Sequence, residues 1–128
     1  MSEESVEIKG DVAWLGVPTV DFRTVLSIKV AKLPLPIIAR GFDASWPPGW
    51  IRSVSFSRAG VLSIEGSLER ITWQAMQQYG YIACGIDLDC TNADPMLNGA
   101  MTMSGTLMAL TLYVDSEPAW PEARIVLA

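Results

Sequence analysis

Apolar and polar residues alternate along most of this chain, and the alternation is cut at short intervals by glycine, proline, asparagine and aspartate. Val6 to Leu15, Phe22 to Val30, Trp50 to Ser57, Tyr81 to Cys90 and Ile125 to Leu127 each read as strands. Pro47-Pro48-Gly49, Arg58-Ala59-Gly60, Asn92 to Gly99 and Asp115 to Pro121 read as the turns and loops between them. One stretch breaks the two-residue period. Leu68, Ile71, Ala75, Met76 and Tyr79 fall on one helical face, with Ser67 placed to cap the start and Gly80 to end it, which predicts a short helix over 68–79.

Three segments resemble one another: Val25-Leu26-Ser27-Ile28, Val61-Leu62-Ser63-Ile64 and Ala100-Met101-Thr102-Met103. The second and third stay alike for longer, with Gly66 opposite Gly105 and Leu68 opposite Leu107, so an internal duplication is open. The first and third also change parity midway, from Leu26, Ile28 and Val30 to Leu33, Leu35 and Ile37, and from Met101, Met103 and Leu107 to Leu110, Leu112 and Val114. A continuous strand that does this needs one extra residue, a β-bulge, expected close to Gly105. Pro34 and Pro36 cannot donate to a ladder, so their portion should be an edge or irregular. The sum is a single all-β domain over 1–128, mainly antiparallel, a seven- or eight-stranded sandwich or barrel with one helix.

Composition narrows the chemistry. The chain has 128 residues, half of them apolar and 18% charged, enough for a packed core. Nine Lys and Arg against fourteen Asp and Glu give a net charge of −5, and there is no histidine. That removes His-based triads and His-ligated zinc. The acidic balance and scattered bases argue against phosphate-backbone binding, and against sequence-specific nucleic-acid recognition with it. No basic, apolar leader opens the sequence and no apolar run is long enough for a membrane helix, so cytoplasmic synthesis of a soluble protein is expected. Cys84 and Cys90, six positions apart on one strand, would lie about 20 Å apart, beyond the ~7 Å reach of a disulfide. They share the parity of Ile82, Ile86 and Leu88 and read as small core residues, with a redox role or a disulfide to another subunit as the alternative.

Candidate chemistry is thin. Asp87, Asp89, Asn92 and Asp94 offer oxygens for a hard cation, but without the glycine and terminal glutamate of a helix-loop-helix calcium site; ordinary strand-end composition explains them, and no metal or cofactor is expected. Asp11, Asp21 and Asp43 neighbour aromatic residues and are the candidates for a raised carboxyl pKa, while Ser27, Ser55 and Ser63 lack a partner base and read as polar strand faces. No catalytic set results. The tryptophans carry more. Trp46, Trp50 and Trp120 stand in Pro-rich loops, where a ring either folds back as a lid on the core or anchors a partner; with Pro34 and Pro36 they are the interface candidates. Trp14 and Trp73 fall inside patterned segments and read as core.

Arg40-Gly41-Phe42-Asp43 through Pro48-Gly49-Trp50-Ile51, then Val54, Phe56, the run Gly60 to Glu65 and a short helical segment, resemble the middle of tail-tube proteins of contractile-tailed bacteriophages. In that family an Arg-Gly and an Asp-Gly-Trp loop precede strands and a helix; here Pro48 replaces the aspartate. The resemblance implies a small β-sandwich or barrel that forms hexameric rings, stacks them into a tube with an acidic DNA channel, and resides in a virion.

Three functions stay open from sequence. The first is a structural self-assembly subunit, a homo-oligomer with no membrane partner. The second is a small barrel that binds an apolar molecule, as a cyclase or isomerase would, lined by Met101, Met103, Met108, Tyr79 and Tyr81. The third is an acidic inhibitor or immunity-type binder that meets a basic protein.

Overall fold

The computed structural model describes residues 4–30, 32–41, 47–79, 82–95, 101–115 and 118–128, with side chains 91–95 excepted. Eight strands and one helix follow in the order β1 (Ser5–Trp14), β2 (Arg23–Lys29), β3 (Leu35–Ala39), β4 (Gly49–Phe56), β5 (Val61–Glu69), α1 (Arg70–Gln77), β6 (Ile82–Pro95), β7 (Met101–Tyr113) and β8 (Arg124–Leu127). The sheet order is β2-β7-β3-β4-β5-β1-β8-β6, and β6 pairs again with β7. Seven strands therefore close a barrel, and β2 is added outside the closure. Of the two architectures the alternation allowed, the barrel is the one formed. Most pairings are antiparallel, but β2 and β3 both run parallel to β7, so the barrel is mixed.

Side chains of alternate residues fill the interior, as a small barrel requires. Ile8, Ile37, Ile51, Leu62, Ile64, Leu68, Leu107, Leu110 and Leu112 are essentially inaccessible. Gly66 lies where β5 crowds β4. A Cβ there would sit 2.1 Å from the Trp50 carbonyl oxygen, so only glycine allows this approach. At the end where β1 begins and β5 finishes, α1 closes the barrel with Trp73 and Met76 buried. At the other end Trp120 stacks at a tilt on Trp14, ring centroids 6.3 Å apart.

Several expectations are corrected. The helix is shorter than 68–79, because Leu68 and Glu69 continue β5; Glu69 is the N-cap residue and makes no side-chain cap bond. Its buried face is also different. Thr72, Trp73 and Met76 point inward, whereas Ile71 and Tyr79 are 69% and 61% exposed. Gly80 and Tyr81 lie outside the described residues. Asn92 to Pro95 is strand rather than loop, since β6 extends to Pro95 against Met101. The first alternating segment is not one bent strand: β2 stops at Lys29 and β3 starts at Leu35.

The third segment is one strand with a bulge, and the extra residue is Met108, skipped where Asp87 pairs with Ala109 and Leu88 with Leu107. Gly105, three residues away, meets a different constraint, for a Cβ there would come within 2.7 Å of the Asp89 carbonyl oxygen. Pro36 pairs with Trp50 of β4, and pairing with β7 begins only at Ile37. The proline thus falls where its strand has one neighbour, as a missing N–H demands.

Candidate functional site

β7 is the strand on which the sheet changes character. One side is lined by β6 over the whole length, from Pro95 opposite Met101 to Ala83 opposite Tyr113. The other side is lined first by β2, up to Lys29 opposite Thr106, and then by β3, from Ile37 opposite Leu110. Between these the bulged Met108 is half-exposed. The first half of β7 with β2 and the distal half of β6 is thus a three-stranded blade that continues the sheet past the closure, its inner face packed on the core through Val25, Ile28, Leu88 and Met103.

The blade's outer strand is preceded by a tight apolar loop. Thr19 organises it, its hydroxyl donating to Asp21 and accepting from the Arg23 amide at 3.0 Å, while its own amide donates to the Arg23 carbonyl at 2.7 Å. The Gly16 amide donates to the Val25 carbonyl and the Val20 amide to the Ala119 carbonyl, both at 2.9 Å. Asp21 pairs with Arg23 at 3.1 Å. This bonding pins Phe22 at φ +63°, the left-handed region that bulky side chains avoid. Its ring is nonetheless 69% exposed. Val17, Val20 and Leu26 are exposed with it, so four of the eleven large apolar side chains exposed among the described residues fall within ten positions.

The sequence candidates distribute unevenly around this surface. Trp120 is buried, and its indole N–H donates to the Val17 carbonyl at 2.9 Å. It is a lid on the core, which leaves no ring to offer a partner. Trp50 is exposed on β4 beside Pro36, Pro34 is exposed, and Trp46 lies outside the described residues. Trp14 packs half-buried against the core and Trp73 is buried. Phe22, Val17 and Val20 were not legible as surface residues, because an apolar loop flanking a strand looks like any other turn approach.

Nor do the catalytic and ligand candidates among the described residues come together in one place. Asp11 accepts from the Ser63 hydroxyl at 2.6 Å in an outer groove of about 690 Å³ that also holds Lys9, Ser55 and Glu65, away from the groove that Asp21 lines. Asp43 lies outside the described residues, and Ser27 and Ser55 are exposed on strand surfaces. Met108 and Tyr79 face solvent, Met103 lines a groove of about 320 Å³ with Val25, Cys90 and Trp120, and Tyr81 lies outside the described residues.

Asp87 and Asp89 stand exposed on an extended strand rather than a turning loop, and Asp87 accepts from the Thr111 hydroxyl at 2.8 Å. Among the described residues no group of three or more carboxylates and cysteines could hold a metal. Cys84 is buried and its thiol is pushed up to about 12 by desolvation, whereas Cys90 is exposed, so the shared core reading holds for one cysteine only.

No protein-family model, curated protein or solved structure matches the chain. Among the described residues no helix is long and apolar enough to cross a membrane.

Proposed function

We propose that this chain is a structural subunit that assembles with copies of itself, in the ring-and-tube manner implied by its resemblance to contractile phage tail tubes, with its net negative charge lining the channel. The observation that carries the reading is Phe22. A large aromatic ring held in a costly backbone conformation and turned toward water, beside Val17, Val20 and Leu26 on an outer strand, is unfavourable for a solitary molecule. It becomes favourable when a second copy covers it. A stable contact of this kind buries more than about 1,000 Å².

Sedimentation and negative-stain microscopy at micromolar concentration test it. The expected particle is several times heavier than the 13.9 kDa chain, with rings or tubes in the images. Phe22→Asn combined with Leu26→Lys should return it to a monomer that still folds cooperatively, since asparagine tolerates the left-handed region better than phenylalanine. A wild-type protein that sediments as a lone 13.9 kDa chain overturns the reading.

A further inference from the structure

Resting on that assembly reading, we propose that copies join head to tail, with the outer edge of β2 in one copy pairing with the outer edge of β6 in the next. The blade β6-β7-β2 has two outer edges, and they differ in kind. On β2 the carbonyls of Arg23 and Val25 are taken by the amides of Thr19 and Gly16, so the open length is Leu26 to Lys29. On β6, β8 covers only Ile82 and Ala83, and the Cys84 amide donates to the Ala123 carbonyl. Beyond that point no backbone bond on this edge occurs among the described residues.

Charge decides which edge meets which. Lys29 and, just past the strand, Lys32 are exposed at the open part of β2, and Asp87 and Asp89 are exposed along β6. Two β2 edges brought together, or two β6 edges, would set like charges side by side. One of each sets opposite charges together, which favours a heterologous contact over a two-fold one. Complementary edges on a single chain also point to a second copy as the occupant rather than a foreign strand.

Parity agrees with charge. Ile28 and Leu88 pack toward the core, whereas Lys29 and Asp89 face solvent. Cys90 shares an inner groove with Val25, Met103 and Trp120. β2 runs parallel and β6 antiparallel to β7, so an antiparallel junction can place Lys29 opposite Asp89 on the outer face and Ile28 opposite Cys90 on the inner face. Both faces then match, charge to charge and apolar to apolar.

Cross-linking and charge exchange test this. Ile28→Cys, oxidised with diamide, should give a ladder of disulfide-linked dimers, trimers and higher species on a non-reducing gel, and Cys90→Ser should abolish it. Lys29→Glu and Asp89→Lys should each weaken association about tenfold, and the double variant should regain most of that loss. A cross-link that stops at dimers or survives Cys90→Ser overturns the head-to-tail pairing, as does an oligomer indifferent to both charge reversals. The charge pair carries the test alone if Ile28→Cys does not fold. A monomeric wild type sinks the assembly reading itself, whereas an oligomer without ladder or charge rescue sinks only this pairing.

Discussion

β7 belongs to two different structures along its own length. From Leu110 onward it is flanked by β6 and β3, and Leu110 and Leu112 are fully enclosed in the barrel. Before Gly105 it is flanked by β6 and β2, its Met101 to Ser104 side chains are only half-buried, and the next strand out exposes Leu26. Closure explains the difference: in the barrel every strand has two neighbours, whereas the blade packs one face on the core and leaves two outer edges. One strand thus lies inside the closed barrel at one end and at the other holds together β6 and β2, whose outer edges stay open.

The largest test of that contrast is truncation at each end. Leu112→Ala should cost about 2–5 kcal/mol in chemical denaturation, while Leu26→Ala should cost less than about 0.5 kcal/mol and act on assembly instead. Equal costs at the two positions would erase the distinction.

The two cysteines sharpen it through pH. Burial raises the Cys84 thiol from 9.0 to about 12, so the unfolded chain ionises first as the solution turns alkaline. The stability tied to the protonated thiol is complete below pH 9.0 and declines as pH climbs toward 12, by about 1.4 kcal/mol per pH unit. Cys84→Ala should remove that extra slope, measured as the difference between the two denaturation series. Below pH 9.0 a thiol reagent should label Cys90 and spare Cys84 in the folded protein.

A smaller effect separates lid from anchor. Trp120→Phe removes the bond to the Val17 carbonyl and should lower stability by about 1 kcal/mol, leaving the particle mass unchanged. A change in mass without a change in stability would return Trp120 to the interface. The smallest belongs to the barrel surface: breaking the exposed Arg40–Asp115 pair, 2.9 Å apart with Arg40 over the Tyr113 ring, by Asp115→Asn should leave the denaturation midpoint close to that of the wild type.

Local pattern settled much of the architecture on its own. Alternation, turn residues and proline placement prescribed seven or eight strands, one helix and a parity change in β7, because each depends on neighbours in the chain and on the two-residue period of a strand. Pro36 was readable as having one partner for the same reason: a missing donor is a property of the residue. Only the tertiary structure decided which strands pair across long separations, so the parallel partnership of β2 and β3 with β7, the closure by β6, and the inward turn of α1 about Trp73 rather than Ile71 could not be read from periodicity. The candidate surface shares that dependence. Phe22 and Leu26 are apolar in any reading, and they are exposed because β2 ends up outside a barrel that seven other strands had already closed.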